Sequence, residues 1–297
     1  MIIRNTVFLR ALSLLLAALF LPLSLLTGGL DAAASGQPPQ EKTNLAGPAA
    51  FFRSQGVTTD GAHLWFSAKT TLLRTALDGK TPEALNLSAI PAQLKEDAGI
   101  AHIGGISWYD GRIYAGMEDS KVWQHPTVGV FDAETLEFQT AYALDPALVT
   151  RGVPWVAVER ETGLLYCADH SKTPTCLCVY ALADGCTLTG TLTLQGDLPA
   201  VQGAEIRDGV LYAASNDETA AIYTMNLTDG RVDKLLDRNL LGGEGEGVTI
   251  LETANGPVLL AIDLGTLFVN AFVRRYPLAG AENDGAAVDK SPSRVIE

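Results

Sequence analysis

His102, Glu118, Asp169, His170, Glu246 and Asp263 each stand just before, at or just after a short β-type run, and their types suit proton transfer and cation binding. An imidazole changes charge near neutral pH, so His102 and His170 are the candidate acid–base groups. A hard cation takes oxygen ligands, which makes Glu246 and Asp263 the candidate metal ligands, with calcium the ion of choice. Carboxylates about 5 Å apart repel by roughly 3 kcal/mol at an effective dielectric constant of about 20, and a bound cation or a shared proton relieves that. Glu118, Asp169, Gln202, Trp123 and Trp155 complete the candidate set as ligand-binding groups, the indoles offering a flat apolar face with one donor. His63 has no such companions along the chain and is expected to be structural. No HExxH, GxSxG or GxxxxGK[ST] motif occurs. That leaves metal-assisted chemistry or plain binding.

Residues so far apart in sequence meet only if a repeat brings them together. Segments of one layout begin at Gln55, Gly104, Pro154, Gln202 and Glu246. Their third residues, Val57, Ile106, Val156, Ala204 and Val248, lie 49, 50, 48 and 44 positions apart. A period of roughly 40–50 residues made of short strands indicates propeller blades. Asp-Gly or Asn-Gly at 60–61, 110–111, 208–209 and 255–256, and Thr-Gly at 162–163, mark the first hairpin of each segment. Such pairs supply the positive φ that tight hairpins need. A second set at 78–79, 184–185 and 229–230 would join the third and fourth strands. Runs such as RIYAG, LLYCA and VLYAA carry the β-branched and aromatic bias of strands, and a short helix is expected only around IPAQLKEDA. The fold class is therefore all-β: a β-propeller with five blades of four antiparallel strands, or six blades as the alternative. Pairing of residues around 42–53 with the last blade would close the ring and remove a free edge.

Inner strands of a propeller converge on its axis. Gly56, Gly105, Gly203 and Gly247 suit that crowding because glycine allows close backbone approach. The third repeat has Trp155 at that place, so its indole is expected over or into the channel mouth, as ligand surface or as plug. First strands begin on one face of the disc and second strands return to it. That upper face should collect His102, Glu118, Trp123, His125, Trp155, Asp169, His170, Gln202, Glu244, Glu246 and Asp263, with the Asp-Gly turns opposite.

The formal charge of −13 disfavours nucleic acid as a partner. Residues 1–34 read as a secretory signal: Arg4 and Arg10, an apolar run over 11–26, then Ala32-Ala33-Ala34. The rival reading is an uncleaved membrane anchor, the one case in which a membrane is a partner. Either places the chain outside the cytoplasm, as a secreted, periplasmic or cell-surface protein. Residues 35–48 are expected to be a flexible leader, 49–297 a single propeller domain, and the tail after about 279 a loop or frayed end with a possible last strand. All four cysteines fall in one blade. Their even number outside the cytoplasm suggests disulfides, with Cys167 pairing Cys176 or, after a register shift, Cys178, and Cys186 on the same sheet face as Cys178.

Over most of 50–276, the EGV, PWVAV and GGISWYDGRIY runs resemble calcium-dependent apyrase-type five-bladed propellers. The blade grammar is also similar to gluconolactonase- and lyase-type propellers, and most of all to exported propellers without an assigned activity. The apyrase resemblance implies calcium on the axis, held by groups leading the inner strands, with nucleotide hydrolysis over the same face. By position those leaders are Gln55, Gly104, Pro154, Gln202 and Glu246. The expectation is an exported propeller binding a small molecule, saccharide or protein on its upper face; the alternative is a calcium-dependent hydrolase or lyase at the axial mouth.

Overall fold

The computed structural model describes residues 37–119, 123–240 and 242–278. The signal or anchor segment and the tail fall outside that range. Among the described residues no helix is long and apolar enough to cross a membrane.

The chain forms five sheets of four antiparallel strands, the expected propeller. Strand β1 (Glu41–Ala46) comes first but belongs to the last blade. Blade 1 is β2 (Val57–Thr59), β3 (His63–Ala68), β4 (Thr71–Ala76) and β5 (Pro82–Asn86). Blade 2 is β6 (His102–Tyr109), β7 (Arg112–Glu118), β8 (Thr127–Asp132) and β9 (Phe138–Ala143). Blade 3 is β10 (Ala157–Glu159), β11 (Leu164–Cys167), β12 (Cys176–Ala181) and β13 (Thr187–Thr193). Blade 4 is β14 (Val201–Arg207), β15 (Val210–Ser215), β16 (Ile222–Asn226) and β17 (Val232–Leu236). Blade 5 is β18 (Glu244–Thr253), β19 (Gly256–Leu264) and β20 (Asn270–Pro277), completed on its outer edge by β1.

That last pairing closes the ring. It runs antiparallel from Glu41 opposite Arg275 to Ala46 opposite Asn270. The leader expected over 35–48 therefore becomes a strand from Glu41 on. Beyond it, α1 (Pro48–Phe51) turns the chain inward, where buried Arg53 donates from Nε to the Gly79 carbonyl at 2.9 Å. The expected helix is α2 (Ala92–Ala98), ended by Gly99 in the left-handed region at φ 67°.

Hairpin chemistry follows the sequence. Asp110-Gly111 and Asp208-Gly209 both hold positive φ, as a two-residue hairpin turn demands. In TDG at 59–61 the Asp60 carboxylate instead accepts the backbone N–H groups of Ala62 and His63, a turn made by its side chain.

The apolar core is divided among the gaps between consecutive blades. Trp65, Ile106 and Phe131 fill the space between blades 1 and 2, and Val130, Val156 and Leu165 that between blades 2 and 3. Phe66, Leu260 and Val273 pack blade 5 against blade 1. Strands flanked on both faces by other blades are largely buried, as β7 shows beyond exposed Arg112, while the outermost β13 is almost wholly exposed.

The ring is tightest at its axis. A Cβ built on Gly56 would lie 2.7 Å from the Ile106 nitrogen, one on Gly203 2.7 Å from the Gly247 Cα, and one on Gly247 2.6 Å from the Val57 nitrogen. Backbone hydrogen bonds cross between blades there, from Gly105 N–H to the Pro154 carbonyl at 2.7 Å and from Gly247 N–H to the Gln55 carbonyl at 2.8 Å.

The cysteines depart from expectation. All four are free thiols. Cys167 lies opposite Cys178, the register-shifted alternative, and Cys167, Cys178 and Cys186 are packed into the apolar core between blades 2 and 3. Burial pushes the Cys167 thiol well above its usual range and Cys186 to about 11, so both remain neutral and act as small apolar side chains.

Alanine substitutions separate the two kinds of glycine. Gly247→Ala should lose roughly 1–3 kcal/mol of stability in urea unfolding, because the added methyl has nowhere to go. Gly190→Ala, on β13 with no atom within 4 Å of the new Cβ, should be close to neutral. Equal losses at the two positions would contradict axial crowding.

Candidate functional site

Three of the five inner strands are irregular where they reach the axis. Register shifts interrupt the β6–β7 pairing between Ile103 and Ile106, the β14–β15 pairing between Val201 and Gly203, and the β18–β19 pairing between Gly245 and Val248. Such bulges re-aim side chains out of the ladder. Gln202 and Glu246 occupy two of these bulges. Blade 2 has glycines at its own bulge, and His102, leading the strand, supplies the side chain.

The result is a cavity of about 330 Å³ over the axis. Gln55, His102, Glu118, Pro154, Gln202, Glu244 and Glu246 line it, with Trp123 and His170 from loops. Every blade contributes. Of the groups singled out in sequence, His102, Glu118, Trp123, His170, Gln202 and Glu246 are brought together here. Glu244, expected on the same face, joins them. Its signal was the EGEG run, since residues two apart on a strand project to one side.

Glu246 is the most perturbed group. Burial raises its carboxyl pKa well above the usual value; Glu244 adds to this through its charge and a shared hydrogen bond, and Asp263 through its charge, with Arg238 opposing. The neutral acid is thus favoured at Glu246. Gln55 Nε2 lies 3.5 Å from its Oε1. Across the mouth, His102 Nδ1 is 3.4 Å from Glu118 Oε2. Yet His102 Nδ1 and Glu118 Oε1 are buried with no hydrogen-bond partner.

The Trp123 loop is tied down from below. Buried Asp119 accepts the Gln124 backbone N–H at 2.9 Å and lies 3.1 Å from His125 Nδ1. Burial works against this carboxylate, but these hydrogen bonds outweigh it and hold its pKa below the usual value. His125 is thereby engaged at the loop and is not among the groups lining the mouth.

Three expected site residues lie elsewhere. Trp155 is fully buried and packs with Ala157, Leu177 and Leu211 between blades 3 and 4, so its indole neither covers nor plugs the mouth. Its Cβ already abuts Gly105 at the axis, and the ring gains more by filling the apolar gap than by meeting water. Asp263 is buried and clamped by the guanidinium groups of Arg238 and Arg274, which occupy both its oxygens. Asp169 accepts the Thr150 hydroxyl at 2.8 Å and lines a neighbouring groove with Ser171 and Cys176. His63 is not solitary: it meets Asp60 and the edge of Trp65.

Of the residues expected to hold an axial calcium ion, Gly104 and Pro154 bring no side-chain oxygen, and Asp263 is committed to two arginines. Among the described residues no three His, Cys, Asp or Glu side chains gather to hold a metal ion.

The fold and site together define a five-bladed β-propeller with a polar axial mouth. No family model matches the chain, and no curated protein matches its sequence. Among solved structures it is similar to hydrazine synthase of Kuenenia stuttgartiensis, at 12% identity and a TM-score of 0.43, over 77% of this chain and 59% of that one. It is likewise similar to a chain of a mitotic checkpoint complex, at 12% identity and a TM-score of 0.43, over 80% of this chain and 70% of that one. The chain thus spans less than two thirds of the hydrazine synthase chain. Likeness at this level says nothing of activity.

Glu246→Gln tests the acid directly. Where burial raises a carboxyl pKa, the folded state binds the extra proton, so that contribution is present below the unfolded value and is lost as pH rises through the folded one. The melting temperature of Glu246→Gln relative to wild type should therefore climb from pH 5 to pH 8. Parallel melting profiles would contradict the assignment.

Proposed function

We propose that this protein is a ligand-binding propeller that takes a small polar molecule, rich in hydroxyl or ammonium donors, into its axial mouth. The carrying observation is the pair of buried, unpartnered atoms His102 Nδ1 and Glu118 Oε1 at a cavity built by every blade. A buried polar atom without a partner costs about 1–3 kcal/mol, and a bound donor would recover much of that. Three glutamates around the mouth favour a hydrogen-bond-donating ligand over an anion. Trp123 offers an indole at the rim for an apolar face of the same molecule. The signal-like sequence of residues 1–34 supports a role outside the cytoplasm.

A second reading is acid–base catalysis in the same cavity. It is favoured by the raised pKa of Glu246, which would leave a carboxylic acid available as proton donor near neutral pH, opposite the imidazoles of His102 and His170.

A thermal-shift screen of small amines and polyols, followed by calorimetry on the hits, separates the outcomes. Glu118→Gln and Gln202→Ala are each expected to weaken a hit about tenfold, or about 1.4 kcal/mol. Hits that bind both variants with wild-type affinity would refute the mouth as the site. Turnover of a hit that disappears in Glu246→Gln while its binding persists would favour the catalytic reading.

A further inference from the structure

The opposite face of the disc carries a larger cavity, of about 430 Å³, in the groove between blades 1 and 2. Trp65 and Trp108 wall it, and His63, Arg74, Asp60 and Asp132 stand around them. Two of the chain's four tryptophans thus meet in a groove that the axial mouth does not use. Both rings are held in place. Trp65 Nε1 donates to the Ala133 carbonyl at 2.7 Å, and the Arg160 guanidinium lies over Trp108 at 5.3 Å from its centroid. Trp65 is buried, whereas Trp108 is partly exposed to the groove.

The polar groups are already matched to one another. His63 Nδ1 lies 3.1 Å from Asp60 Oδ2, and Glu83 sits between His63 Nε2 at 3.7 Å and Arg74 Nε at 3.2 Å. Arg74 Nε is nevertheless buried without hydrogen-bond geometry to any partner. Charges of both signs, largely paired, suit neither a strongly anionic nor a strongly cationic ligand. An anion would face Asp60, Asp132 and Glu134, and a cation would face Arg74. A hydroxyl both donates and accepts, so it can join such a set without disturbing its charge balance. The indoles in turn favour a ring with an apolar face.

We propose that this groove is a second binding site, separate from the axial mouth, for a neutral hydroxylated ring such as a hexopyranose unit. The proposal does not depend on what the mouth binds. The full chain, with its tryptophan indole N–H signals assigned by single Trp→Phe variants, is titrated with maltose, cellobiose and lactose to about 50 mM, enough to approach saturation for a millimolar Kd. At least one sugar is expected to shift the Trp108 signal saturably. Trp108→Ala, checked for folding by its buried Trp155 signal, should abolish the response seen at Trp65. His63→Ala should weaken binding severalfold, and Glu118→Gln at the mouth should leave it unchanged. No shift at Trp65 or Trp108 with any of the three sugars would overturn the proposal. So would shifts that persist in both groove variants, or that vanish in Glu118→Gln.

Discussion

The structure depends on how closely five inner strands approach one another around a common axis. A Cβ at Gly56, Gly203 or Gly247 would strike a neighbouring blade's backbone, and hydrogen bonds cross between blades at Gly105 and Gly247. Side chains are excluded from this level of the axis, so they emerge just above and just below it. Above, polar groups of Gln55, His102, Gln202 and Glu246 ring the mouth. Below, buried Glu205 ties blades together by accepting hydrogen bonds from Thr58, Thr249 and Arg160. The same constraint therefore creates a structural knot at one end and a cavity at the other. Satisfaction of the polar groups distinguishes them. Glu205 has three partners, whereas His102 Nδ1 and Glu118 Oε1 have none.

Burial gives that mouth its chemical character. Glu246 sits on a bulge, shielded from water and facing a second carboxyl, and burial together with that neighbour raises its pKa well above the usual glutamate value. The nearby Asp263 keeps its charge matched by Arg238 and Arg274, and that clamp fastens blade 4 to blade 5 from within. Arg238 also donates to the carbonyls of Ala220 and Ser215, which makes it a hub for the loop ends of blade 4. Two acids close in space thus have different roles, one lining the cavity with its pKa raised by burial, the other enclosed between two guanidinium groups.

Much of this was legible in the sequence because it follows from local rules. The spacing of the repeats, the Asp-Gly turns and the axial glycines each report on a few neighbouring residues, and together they pointed to five blades, with six as the alternative, and to the face on which His102, Glu118, His170, Gln202 and Glu246 meet. Long-range partners were not legible. Nothing near Asp263 in sequence indicates that Arg238, 25 residues away, would occupy it. Trp155 shares the axial position of the glycines, but whether its ring turns to the mouth or into the gap between blades depends on the space left by Leu177 and Leu211. The cysteine register is the shifted alternative, Cys167 opposite Cys178, but the thiols are free and packed in the apolar gap between blades. Of the partners of His63, Asp60 and Trp65 lie within three residues of it, while Glu83 comes from the outermost strand of its blade.

Amide hydrogen exchange at Gly105 and Gly247 asks most directly whether the blades lock together where their inner strands meet. Their N–H groups bond across the blade boundary to Pro154 and Gln55, so the account requires them to exchange only with global unfolding, far more slowly than amides of the solvent-facing β13. Exchange at the two glycines as fast as along β13 would mean an open axis, and the mouth would lose the framework that assembles it.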